Sequence, residues 1–194
     1  MGRIVFVNGL IGFGSPPAGE PYFTLPSTPF VSQAVEFFGG TDSVYFPYVD
    51  FRMCTSAQVR MMAGFAYAES SFAELTSGVA PGGEFRFVAH SMGCAFAEGM
   101  AQFLLERGYR VSHMIHINGF QTGQMRVNPR IPATVDFQYV DDLVIRVPFL
   151  SDTRPIQGAI VVREKSNLWI RRRHRGPVYP RSTEFWNTMK KLKI

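Results

Sequence analysis

Cysteine is almost missing from this chain: its 194 residues include two, Cys54 and Cys94. Two cysteines about forty residues apart do not make a disulfide framework, and neither stands in the spacing that metal sites use. Free thiols in a reducing compartment are expected, and nothing calls for a metal or a cofactor. Long apolar runs are missing as well. No stretch approaches the roughly 18 apolar residues of a membrane span. The N-terminal run Ile4-Val5-Phe6-Val7 breaks at Asn8-Gly9, too soon for a secretory signal. Phe6 also stands where a myristoylation signal wants Ser or Thr. The protein is therefore expected in the cytoplasm, unless another machinery or a larger precursor exports it.

Acidic residues are outnumbered by basic ones, 15 to 20, for a net charge of +5. Anionic partners are compatible with that sign. The excess gathers late, in Arg163, Lys165, Arg171, Arg172, Arg173 and Arg175. No zinc finger or RNA-binding motif accompanies it, and no aromatic residue beyond Trp169 interleaves the basic patch. Nucleic acid is not an expected partner. Repeats and low-complexity tracts are absent too.

What remains is a chain of one-domain length, expected as a single unit over 1–194. It is 46% hydrophobic with 18 Phe, enough to bury a core without disulfides. Short β-branched or aromatic runs alternate with helical patterns, which predicts βαβ units and a mostly parallel sheet. Strands are expected at Ile4–Val7, Ser43–Phe46, Phe85–Ala89, Val111–Ile117 and Thr134–Val140. Ala159–Arg163 and Leu168–Arg172 read as a further pair, a hairpin around Lys165-Ser166-Asn167. Thr28-Pro29 opens a helix to Phe38. Thr55 caps a long helix to Thr76, with Val59, Met62, Ala63, Ala66 and Tyr67 as its apolar stripe. Met92–Arg107 forms another, and Ser182 or Thr183 starts a last helix to about Lys191.

The segment Phe85-Arg86-Phe87-Val88-Ala89-His90-Ser91-Met92-Gly93 sets Ser91 between a predicted strand and a predicted helix. A serine there can occupy a sharp, strained turn that lifts its oxygen above the sheet. Small residues must flank it, and Ala89 and Gly93 do. The following helix N-terminus favours developing negative charge.

On these residues the chain resembles the α/β-hydrolase superfamily, in particular its small lipase- and esterase-like members. Ala89 stands in place of the first glycine of Gly-x-Ser-x-Gly. The resemblance implies a mostly parallel sheet flanked by helices, here without a large cap domain. It also implies the chain order Ser, then Asp or Glu, then His. Of the four histidines, only His174 follows the candidate acids; His90 adjoins the nucleophile and cannot turn back onto it. His113 and His116 fall on a strand and are expected to be packed or at the surface. The acid is Asp142, in the Asp-x-Val form Asp142-Leu143-Val144, with Asp141 as the alternative and Asp152 third. For the oxyanion the resemblance implies the backbone N–H groups of Met92 and Leu10, with Ile11 as an alternative to Leu10.

The implied activity is serine hydrolysis of carboxylic esters through an acyl-enzyme on Ser91. A small-molecule or lipid ester is the expected partner. The aromatic loop Ile11–Phe30 is either an apolar rim or a segment tucked onto the core. The run Arg171-Arg172-Arg173-His174-Arg175 beside the base admits a phospholipase at anionic membranes, including an exported effector. A non-catalytic binding protein on the same fold is the remaining alternative.

Overall fold

The computed structural model describes residues 2–11, 16–40, 42–51, 56–145, 152, 154–168 and 174–194. Six strands form one sheet in the order β2-β1-β3-β4-β5-β6, and every pair is parallel. They are β1 (Arg3–Val7), β2 (Ser43–Tyr45), β3 (Glu84–His90), β4 (Arg110–Ile117), β5 (Ala133–Tyr139) and β6 (Ile160–Glu164). Between them run α1 (Glu20–Thr24), α2 (Phe30–Phe37), α3 (Ala57–Ser70), α4 (Phe72–Thr76), α5 (Gly93–Glu106) and, at the end, α6 (Ser182–Leu192).

The inner strands β1, β3 and β5 are buried along nearly their whole length, as strands covered on both faces are. Alternation along β1 sends Val5 and Val7 into the core that contains Ala97, Met100 and Leu104 of α5. Ile4 and Phe6 enter the opposite core, where Tyr22, Phe23, Phe30, Phe185 and Trp186 pack. Phe6 meets Phe23, Phe30 and Phe46 at ring distances of 5.2–6.2 Å. The described part of the Ile11–Phe30 loop, residues 16–30, is accordingly tucked inward: it carries α1, and Tyr22, Phe23 and Phe30 are buried. Leu25 alone of its described large apolar residues is exposed, and Phe13 lies outside the described residues.

The predicted long helix is two, α3 and α4, broken at Ser71. Its cap is Ser56, whose Oγ accepts the Val59 N–H at 3.3 Å; Thr55 lies outside the described residues. The expected apolar stripe is also corrected. Val59 is 50% and Met62 67% exposed, while Ala57, Arg60, Gly64 and Ala68 face inward. The cause is close backbone packing. A β-carbon at Gly64 would overlap the Phe96 carbonyl of α5, and one at Gly99 would overlap the Met61 carbonyl of α3. Two helices that approach so closely meet on their small residues, with Phe65 and Tyr67 packing on Phe103 and Phe96 beside the contact while Val59 and Met62 turn outward.

The other elements agree with expectation to within a residue or two at the ends, as helix and strand limits do. Pro29 precedes α2 as its cap, and Thr28 Oγ1 accepts the Phe30 N–H at 3.3 Å. The predicted partner strand of β6 falls almost wholly outside the described residues. No helix among the described residues is long and apolar enough to cross a membrane.

Connections leave β1 toward β2 on one side, and leave β3 toward β4, β5 and β6 on the other. At such a reversal the chain segments after neighbouring strands diverge and leave a crevice at the strands' carboxyl ends. Asn8-Gly9 and Ser91 follow those two strands.

Candidate active site

Ser91 sits between β3 and α5 at φ 56°, a left-handed conformation that a non-glycine residue adopts only where its surroundings impose it. Its surroundings do. The Ser91 N–H donates to Ile117 O at 3.0 Å, and Ser91 O accepts the N–H groups of Cys94 and Phe120, each at 3.2 Å. Glycines open the space around the turn. A β-carbon at Gly93 would overlap the Asn8 carbonyl, and one at Gly9 would stand 2.7 Å from the Ser91 β-carbon. Ala89, where the resemblance wants glycine, is fully buried on β3 without difficulty.

His174 Nε2 lies 2.8 Å from Ser91 Oγ, and its Nδ1 lies 2.6 Å from Asp142 Oδ2. Three residues that are far apart in sequence thus form one hydrogen-bonded chain. Asp142 is buried, and its other oxygen accepts the Val144 N–H at 2.9 Å. That leaves Nδ1 as the donor toward Asp142 and Nε2 as an acceptor for the serine proton. The alternative acid, Asp141, takes no part: its carboxylate accepts the Ser166 N–H at 2.9 Å and the Ser166 hydroxyl at 2.8 Å. Asp152 pairs with Arg154 on the surface.

Met92 follows Ser91 at the start of α5, and Leu10 follows Gly9 across the crevice. Among the described residues, neither N–H donates to a backbone carbonyl. The loop that carries Leu10 is braced by Asn8, whose Nδ2 donates to Gly9 O at 2.8 Å and Val49 O at 3.0 Å. Its Oδ1 accepts the Gly19 N–H at 3.2 Å.

His90 is fully buried beneath His174, their rings 4.6 Å apart. Its Nε2 lies 2.8 Å from His174 O, and its Nδ1 lies 2.7 Å from the Tyr22 hydroxyl. A carbonyl only accepts, so Nε2 carries the hydrogen and Nδ1 receives the Tyr22 O–H. Burial, with His174 close by, holds the His90 pKa well below its ordinary value. Burial likewise pushes Tyr22 up to about 12. Both groups are therefore neutral. Asn118 is the other residue missed by sequence reasoning: its Nδ2 reaches His174 O at 2.8 Å. A polar residue just past a strand's carboxyl end was the one available signal.

Of the basic run, Arg171, Arg172 and Arg173 lie outside the described residues. Arg175 turns inward: it donates to Tyr22 O at 2.5 Å and its guanidinium lies 4.6 Å from the centre of the Tyr22 ring. The strand histidines are packed, as expected. His113 bonds Ser112 Oγ at 2.9 Å, and buried His116 meets Glu98 Oε1 at 2.8 Å. No group of three or more metal-binding side chains occurs among the described residues.

A parallel sheet covered by helices on both faces, with a serine at positive φ after a central strand, is the α/β-hydrolase fold. One solved structure shares this fold across nearly the whole chain. The chain is similar to the NocB thioesterase domain, solved as a covalent complex with a fluorophosphonate nocardicin G analog. The identity is 13%, covering 98% of this chain and 93% of that one, with a TM-score of 0.51. The RedJ thioesterase of Streptomyces coelicolor matches at 14% identity over 84% and 76% of the two chains, TM-score 0.45. Mouse alpha/beta hydrolase domain-containing protein 10 matches at 12% over 98% and 90%, TM-score 0.46. At these identities the likeness is one of fold. No family model matches the chain, and no curated protein matches it in sequence.

Proposed function

We propose that the protein is a serine hydrolase that cleaves carboxylic esters through an acyl-enzyme on Ser91. The observation that carries this reading is the unbroken chain from Ser91 Oγ through His174 to buried Asp142. His174 takes the serine proton as Oγ attacks the acyl carbonyl, and Asp142 holds the imidazole in the required tautomer. The N–H groups of Met92 and Leu10 take up the negative charge on the carbonyl oxygen, a contribution of about 100–1000-fold per donor. His174 returns the proton to the leaving oxygen. Water, deprotonated by the same imidazole, then releases the acid and restores Ser91.

Apolar acyl groups suit the surroundings. Leu143 and Val144, directly after the acid, are 54% and 46% exposed. Tyr48, next to the Val49 carbonyl that braces Asn8, is 70% exposed. These side chains stand on the loops after the strands' carboxyl ends, where an acyl chain would lie.

The test is hydrolysis of p-nitrophenyl esters from acetate to palmitate by the wild type and Ser91→Ala. Activity lost in the variant supports the serine mechanism, and the chain-length profile gives the acyl preference. An inert wild type that also resists a fluorophosphonate would leave a binding protein on this fold.

A further inference from the structure

One oxygen in the site receives two donors. His90 Nε2 and Asn118 Nδ2 each lie 2.8 Å from the backbone carbonyl of His174. A carbonyl oxygen offers two lone pairs, and here both are filled.

The other partners of each donor determine its orientation. Asn118 Oδ1 accepts the Tyr139 N–H at 2.8 Å, so the amide nitrogen is the end that faces His174. The Asn118 N–H itself donates to Phe137 O at 2.8 Å. Asn118, at φ 45° after β4, is therefore docked onto the end of β5, three residues before Asp142. His90 is the last residue of β3, immediately before Ser91, and Tyr22 fixes its ring from the other side. One donor is thus tied to the strand of the nucleophile and the other to the strand of the acid.

His174 needs such ties. Residues 174–180 form turns, held within the segment by Val178 N–H and Tyr179 N–H donating to Arg175 O. No strand ladder places the imidazole, yet it must meet Ser91 Oγ and Asp142 Oδ2 at the same time.

We propose that His90 and Asn118 are positioning residues that clamp the His174 carbonyl and so set its imidazole against both Ser91 and Asp142. This rests on His174 being the general base. Neither residue hydrogen-bonds the reacting atoms, although the His90 ring also packs on the His174 imidazole at 4.6 Å. Each acts through the backbone of the base, where a displacement of about 1 Å costs on the order of 100-fold in rate.

The experiment compares Asn118→Asp, His90→Leu and His90→Gln with the wild type. Asn118→Asp keeps the shape but turns a carboxylate oxygen toward a carbonyl. His90→Leu removes the donor, and His90→Gln returns an N–H at similar reach. The readout is kcat and KM on a p-nitrophenyl ester, normalised to sites that react to completion with a fluorophosphonate, so unfolded protein is not counted. Asn118→Asp and His90→Leu are expected to lose about 10–100-fold in kcat with KM nearly unchanged, and His90→Gln to recover much of that loss. A sharp downfield His174 Nδ1–H resonance is expected in the wild type, broadening or vanishing in the first two. If Asn118→Asp fails to fold, the His90 pair decides alone. Unchanged kcat per titrated site in the clamp variants, or a loss that His90→Gln does not recover, overturns the clamp and leaves the hydrolase reading standing. A wild type that the fluorophosphonate does not label overturns both.

Discussion

Asp141 and Asp142 are neighbours in the chain, yet their carboxylates serve different partners. Asp142 lies 2.6 Å from His174 Nδ1, while Asp141 holds both the N–H and the hydroxyl of Ser166. Asn substitutions separate the two. Asp142→Asn removes the acceptor that sets the imidazole tautomer and is expected to lower kcat about 10,000-fold. Asp141→Asn is expected to spare kcat and to cost about 1–3 kcal/mol of stability through weaker hydrogen bonds at Ser166. Ester kinetics and urea denaturation on both variants check this, and a large kcat loss in Asp141→Asn alone would exchange the roles.

The contact between α3 and α5 has no room for a methyl group at Gly64 or Gly99. Gly64→Ala and Gly99→Ala are each expected to cost about 1–3 kcal/mol, because the helices must separate. The double variant should cost less than the sum, since one separation accommodates both side chains. Thermal melts of the three proteins measure it, and strict additivity would contradict the shared contact.

Stability should fall between neutral and alkaline pH through His116. Burial opposes its charge, but nearby Cys94 and the Glu98 carboxylate, hydrogen-bonded to it at 2.8 Å, prevail and push it up to about 10 from an ordinary 6.5. A group raised on folding stabilises most below its unfolded value, and that contribution is lost as pH climbs from about 6.5 through about 10. His116→Gln should flatten this window in a series of denaturation curves. An unchanged slope would mean that another group titrates there.

On the acid side His90 has the opposite sign. Its folded pKa is held down by burial, so its contribution is present above 6.5 and is lost as pH falls toward the folded value. Acid unfolding should therefore begin at lower pH in His90→Gln than in the wild type, as pH titration followed by circular dichroism would record.

Tyr22→Phe takes away the hydroxyl that donates to His90 Nδ1. The buried nitrogen is left without its donor, at a cost of about 1–3 kcal/mol. Denaturation of the purified variant tests this. A loss near zero would mean that water replaces the hydroxyl.

The alternation of strands and helices and the elbow at Ser91 were legible because each is written locally, and the order Ser91, then an aspartate, then His174 followed from the resemblance. A strand announces itself by β-branched runs, a turn by glycine and proline, the elbow by small residues on either side of a serine. The same local reading misplaced the buried face of α3, because Val59 and Met62 are apolar while Gly64 is inconspicuous. Periodicity registers hydrophobicity, and here close backbone approach decided the face instead.

His90 was read correctly as unable to reach the nucleophile's oxygen, but its grip on His174 O was invisible, as was that of Asn118. The sequence by itself determined the class of fold, the elbow at Ser91 and, through the resemblance, a later aspartate and His174 as its candidate partners, since these follow from short patterns and their order. Only the tertiary structure decided which of two adjacent aspartates faces the imidazole, that the aromatic loop packs inward, and what holds the base in place. Those outcomes depend on contacts between distant residues, one hydrogen bond among them reaching across 153 positions, and the directions of such contacts exist only once the sheet has brought its strand ends together.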